Sequence, residues 1–136
     1  MPLRGRGSHY SIGRHAVEWT LHNAYRGHWP ARLVRALGLQ RRVQVRHHRV
    51  AVARWPSAVR PLRIAFISDL HAGPTTHPSL LDEAFAQLAA AEADLVLLGG
   101  DYVFLFAEYV DAIADRLRPI RAPLGIHAVM GNHDLW

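Results

Sequence analysis

The sequence predicts an α/β fold, a β-α-β-α-β run forming a parallel sheet over residues 63–136, behind a basic extension over residues 1–62. Three observations predict it. The apolar runs "RIAFIS", "ADLVLL" and "LGIHAVM" read as strands buried on both faces of a parallel sheet. Two amphipathic stretches of helical period separate them. Charge changes at the border: residues 1–63 hold 13 Arg against one acid, Glu18, whereas residues 64–136 hold 3 Arg and 10 acids.

Residues 1–13, rich in Gly, Ser and Arg, read as a flexible start. Residues 14–29 show no clean period. In residues 31–39, "ARLVRALGL", Leu33, Val34 and Leu37 share a helical face beside Arg32 and Arg35. Pro30 suits a first turn and Gly38 a stop. Such a helix packs on the domain or lies as a short basic helix at an interface. Residues 42–54 alternate in two phases, with Val43 and Val45 on one face and Val50 and Val52 on the other, which predicts two short strands bending at His47-His48. Those histidines point to opposite faces and read as exposed rather than as a metal pair. "WPSAVRPL" breaks the pattern as a linker. After the strand at residue 63, "THPSLLDEAFAQLAAAEA" predicts a helix with Pro78 early and Leu81, Ala84, Phe85 and Leu88 as its stripe. "FAEYVDAIADRLRPI" predicts another, with Val110, Ile113, Ala114 and Leu117 on one face and Pro119 ending it.

The chain has no cysteine, so disulfides and thiolate metal sites are excluded. A metal would have to use His, Asp, Glu or Asn, which points to harder divalent ions. There is no run of 18 apolar residues, as a spanning helix needs, and no apolar stretch follows Arg4 and Arg6 as in a secretory signal. All 16 basic residues are Arg. An arm of that charge meets phosphates, of lipid headgroups or of nucleic acid, or is simply a solvated leader.

In open parallel sheets, ligands gather beyond the carboxyl ends of the strands. The first strand ends in Asp69 and His71, the second in Gly99-Gly100-Asp101, the third in Gly131-Asn132-His133-Asp134. Each piece alone reads as a cap or turn. Repetition at successive strand ends reads as one site. Asp69 and His71 can turn to one ion, and carboxylate with imidazole suits Mn, Fe or Zn. Asp101, with two oxygens, can bridge two ions about 3.5–4 Å apart. Asn132 offers a carbonyl oxygen. The glycines allow close approach. His133 beside Asp134 suits a proton donor or charge stabiliser, its tautomer set by the carboxylate.

With "DLH" at 69–71, "GGD" at 99–101 and "GNHD" at 131–134, the sequence resembles the calcineurin-like metallophosphoesterase superfamily. It looks most like the bacterial membrane-associated phosphodiesterase branch that includes UDP-2,3-diacylglucosamine hydrolases. The resemblance covers residues 63–134. It implies the N-terminal half of an α/β sandwich and a hydrolase of phosphodiester or pyrophosphate bonds, using a hydroxide activated by two divalent metals. Asp69 and His71 would bind the first metal, Asp101 both, and Asn132 the second. His133 would be catalytic, supported by Asp134. The substrate would be a phosphoester, lipid-linked or nucleotide-linked. The place would be cytoplasmic, peripheral at the inner face of an anionic membrane. The given sequence ends at Trp136, before the superfamily's later histidine and Gly-His-x-His motif, so the expectation is an N-terminal part that is weakly active or inactive alone. The competing reading is a basic module for anionic membrane or nucleic acid that retains a degenerate metal site. Nucleic acid is disfavoured, because no recognised motif is present and few aromatics interleave with the Arg run. A Rossmann-like nucleotide binder is set aside, because "SDLHAG" stands where a glycine-rich loop would be.

Overall fold

The computed structural model describes residues 12–40 and 42–135. Most of the expected flexible start, residues 1–11, lies outside the described residues, as does Trp136.

Helix α1 spans Ile12–Ala24, where no period was legible. Its exposure bears on that: Val17 and Trp19, large apolar residues, face solvent rather than marking a core-facing stripe. Local bonds help hold it. Thr20 Oγ1 donates to the Ala16 carbonyl (2.7 Å) and Asn23 Nδ2 to that of Trp19 (2.8 Å). A short 3-10 turn, Arg26–His28, reverses the chain through left-handed φ values at Gly27 and His28. Helix α2, Trp29–Ala36, follows with Pro30 in its first turn, as expected. It ends where Gly38 takes φ +68°. The Gly38 amide donates to Arg35 O (3.0 Å) and the Leu39 amide to Val34 O (2.9 Å), the pairing of a Schellman stop.

Residues 42–54 do not form the strands that their alternation predicts: the described residues there contain no strand. Val45, Val50 and Val52 are exposed and no sheet edge lies alongside. An isolated hairpin is marginal in water without a third strand or a helix to pack on. His47 and His48 are exposed, as read.

The sheet is parallel, with strands β1 (Ile64–Ile67), β2 (Leu95–Leu98) and β3 (Ile126–Ala128) in that spatial order. Helix α3, Pro78–Ala90, joins β1 to β2, and α4, Val110–Leu117, joins β2 to β3. The β-α-β-α-β reading holds. The α3 stripe of Leu81, Ala84, Phe85 and Leu88 is buried throughout. Ile113 of α4 is buried and Leu117 partly so, but Val110 remains exposed. Arg116 of α4 donates to Asp82 of α3 at 2.9 and 2.6 Å.

The expected two-sided burial is not found. The helices cover the face carrying Ala65, Ile67, Val96 and Leu98. On the other face Ile64 is 54% and Phe66 67% exposed. The apolar run of β1 therefore reflects more than helix packing, since nothing among the described residues covers its second face.

Asp94 sits buried at the entry to β2 and ties the linker to the sheet. Its carboxylate accepts both Arg60 guanidinium nitrogens and the Arg63 amide (2.8 Å). Arg60 first, then the Arg63 amide, hold this carboxyl below the usual carboxylate range. A depressed folded pKa adds stability above the ordinary value, and that stability is lost as pH falls through the folded value. Asp94→Asn is therefore expected to melt below the wild type at neutral pH, with the gap closing in strong acid. Thermal melts across the acid range check it, and a gap independent of pH would refute it.

Candidate metal centre

The chain leaving β1 does not separate from the chain leaving β2. The Asp69 amide donates to Gly100 O (3.0 Å), that of His71 to Asp101 O (3.0 Å) and that of Ala72 to Tyr102 O (2.8 Å). A parallel bridge between Ala72 and Val103 closes this run. Within it Asp69, His71 and Asp101 take φ values of +55°, +42° and +54°. Left-handed backbone is uncommon for residues with a Cβ, though Asp and His tolerate it best. Each such residue costs of order 1–3 kcal/mol, and such strain gathers at functional sites.

The conformation brings side chains together. His71 Nε2 lies 3.8 Å from Asp101 Oδ2 and 4.0 Å from Asp69 Oδ1. His71, Asp101 and His133 each offer a ligand atom, all within 4.8 Å of one another. The His71 and His133 rings stand edge to face with centroids 4.8 Å apart. Donors about 2 Å from one ion stand up to roughly 4 Å apart, so the His71–Asp101 pair fits a divalent ion as it stands, with His133 beside it. Two imidazoles with carboxylate oxygens suit Mn, Fe or Zn.

Asp101 is oriented by the third strand end. Its Oδ1 accepts the His133 amide (2.9 Å), while Oδ2 is the oxygen near His71. Asp134 binds backbone. Its Oδ2 accepts the amides of Asp101 (2.7 Å) and Gly131 (2.8 Å), and its Oδ1 those of Tyr102 (2.8 Å) and Val103 (3.3 Å). The Tyr102 hydroxyl lies within bonding distance of Val129 O (2.6 Å) and Leu98 O (3.0 Å). Burial, with the Asp134 charge adding, pushes that hydroxyl up, so it stays a donor at neutral pH. Gly100 and Gly131 meet here. A Cβ on Gly131 would strike the Asp101 carboxylate and amide; one on Gly100, at φ +92°, would strike the Gly131 backbone.

Of the residues read from the sequence, His71, Asp101 and His133 come together, and Asp69, largely exposed, lies 4.0 Å from His71. Asn132 is exposed on the same loop. His133 stands at ligand distance, where the motif reading gave it proton handling. Asp134 holds four amides across two loops, a role the sequence signal did not contain because three of them lie about thirty positions away. Phe104 was also missed. Its ring centroid is 6.1 Å from that of His71 and 6.0 Å from that of His133, walling one side of the cluster.

Comparison with known proteins accords with this geometry. The family model described as calcineurin-like phosphoesterase matches residues 62–136. The chain is 38% identical over 88 residues to "Phosphodiesterase YaeI" of Escherichia coli K12, covering 64% of this chain and 32% of that protein. It is 30% identical over 87 residues to a bovine "Transmembrane protein with metallophosphoesterase domain", covering 64% of this chain and 20% of the other. It is 34% identical over 74 residues to "UDP-2,3-diacylglucosamine pyrophosphatase LpxG" of Chlamydia trachomatis, covering 54% and 22%. The chain thus spans a third or less of the length of these relatives. No solved structure matches it significantly.

Proposed function

The chain belongs to the calcineurin-like phosphoesterase family, and from that premise we propose that it works as a metal-dependent phosphoesterase cleaving a phosphodiester or pyrophosphate bond. The observation that carries this reading is the meeting of His71, Asp101 and His133 beyond three strand ends, with Asp69 4.0 Å from His71. Asp69, His71 and Asp101, with the side-chain carbonyl oxygen of Asn132, would hold the divalent ions. The ions, when bound, supply a nucleophilic water near neutral pH and offset phosphoryl charge. His133, within 4.8 Å of the His71 and Asp101 ligand atoms, protonates the leaving oxygen or stabilises the developing charge there. Asp134 holds the loops that place both. Phe104 narrows access on one side.

The names of the relatives, a phosphodiesterase and a UDP-2,3-diacylglucosamine pyrophosphatase, support a lipid-linked or nucleotide-linked substrate. Because the relatives extend well beyond the matched span, turnover by these 136 residues alone is expected to be weak. The test pairs Mn²⁺-dependent hydrolysis of bis(p-nitrophenyl) phosphate with Mn²⁺ calorimetry, on this chain and on Asp101→Asn. Mn²⁺ binding should weaken about tenfold or more in the variant, and any metal-dependent hydrolysis should vanish. A wild-type chain with neither Mn²⁺ binding nor hydrolysis above background would overturn the reading.

A further inference from the structure

Helix α2 is inverted relative to a helix that packs on a core. Ala31 is 2% exposed, and Arg35 donates to Ser79 Oγ at the start of α3, with His77 Nδ1 at 3.4 Å. These two residues, one turn apart, mark the side toward the domain. Leu33 and Leu37 lie about 160° around the helix from them. That outer side carries Trp29, Leu33, Val34 and Leu37, all 41–61% exposed, and Leu39 continues it past the Schellman stop. Val17 and Trp19 of α1 are exposed too. A helix with its small and cationic residues inward and its apolar residues outward is not built for water.

We infer that the outer face of α2, with the exposed aromatic and apolar residues of α1, docks on the headgroup zone of an anionic lipid bilayer. Charge selects this occupant. Residues 1–63 hold 13 Arg against one acid, and Arg26 and Arg32 in the helical segment and Arg42, Arg46 and Arg49 in the chain that follows it are exposed. Apolar side chains interleaved with Arg, and Trp with an apolar body and a polar edge, suit the boundary between acyl chains and headgroups. Among the described residues no helix is long and apolar enough to cross a membrane.

The surface is also joined to the candidate site. His22 of α1 stands edge-on to Phe106 (4.7 Å between centroids), and His28 to Tyr109 (5.9 Å). Both partners belong to the loop that carries Phe104 beside His71 and His133. Docking would hold that loop near the bilayer. The substrate class then narrows to an amphiphilic phosphoester resident in the membrane, a step that rests on the proposed phosphoesterase activity, whereas the docking does not.

The test is co-sedimentation of the full 136-residue chain with phosphatidylcholine vesicles and with mixed phosphatidylcholine–phosphatidylglycerol vesicles. Sedimentation is expected with the anionic vesicles alone, falling steeply with salt. Leu33→Glu/Leu37→Glu should weaken it about tenfold or more while leaving Mn²⁺ binding and the far-ultraviolet spectrum unchanged. Asp101→Asn should lose Mn²⁺ binding and keep vesicle binding, so failure of the metal site and failure of the surface read differently. Three outcomes would overturn the inference: no sedimentation at low salt, equal sedimentation of the double Glu variant, or a stripe that drives self-association by light scattering without vesicle binding.

Discussion

Replacing Asp134 with Ala is expected to lower stability by about 3 kcal/mol and to weaken Mn²⁺ binding roughly 10–100-fold, although Asp134 is not among the ion's ligands in the proposed site. The four amides it accepts belong to Asp101, Tyr102, Val103 and Gly131. Bonds to a carboxylate contribute more than neutral ones, and removing it leaves partly buried donors without an acceptor. The Asp101 amide is one of them, so the residue holding the ion loses its own anchor. Asp134→Asn should fall between, since one amide oxygen can still serve Tyr102 and Val103 while an NH₂ faces the other two donors. Urea denaturation and Mn²⁺ calorimetry on both variants check this. If Asp134→Ala kept wild-type affinity and stability, the carboxylate would not be holding the loops together.

Gly100→Ala should be more damaging for its size, with a loss of about 3 kcal/mol or more and no measurable Mn²⁺ binding. Two effects add. The backbone at φ +92° is strained for any residue with a Cβ. The added methyl would also stand 2.7 Å from the Gly131 Cα and closer still to its amide nitrogen. Backbone on both sides cannot rotate away as a side chain can. Relief requires the ends of β2 and β3 to part, which moves Asp101 from His133. Urea denaturation decides the matter: a transition within about 1 kcal/mol of the wild type would show that the contact yields easily.

The legible parts of this molecule were those set by local periodicity. Leu81, Ala84, Phe85 and Leu88 recur with the helical period because one face of α3 meets the sheet, and all four are buried. The site residues were legible because each polar group follows an apolar run at a strand end, where a parallel sheet collects them. What could not be read depended on partners distant in sequence. The valines of residues 42–54 alternate as strands do, but alternation cannot supply a neighbouring strand. Ile64 and Phe66 sit in a continuous apolar run, yet the sequence does not say which face receives helices. The left-handed backbone of Asp69, His71 and Asp101 arises from the pairing of two loops. α1 was hard to read because its large apolar residues Val17 and Trp19 face solvent while His22 is the residue that packs on Phe106.

The contact of Gly100 with Gly131 also excludes misalignment. A one-residue slip of β3 against β2 would turn its side chains to the opposite faces, but Ile126, His127 and Ala128 are all exposed, so burial opposes it little. A two-residue slip keeps every side chain on its own face, so hydrophobic pattern alone barely opposes it. Such a slip would bring Val129 or His133 to the place of Gly131, and any Cβ there collides with the Asp101 carboxylate. The glycine pair therefore acts as a stop that rejects the alignments polarity tolerates. A chain that has formed this contact has, in the same act, set Asp101 and His133 at their mutual distance.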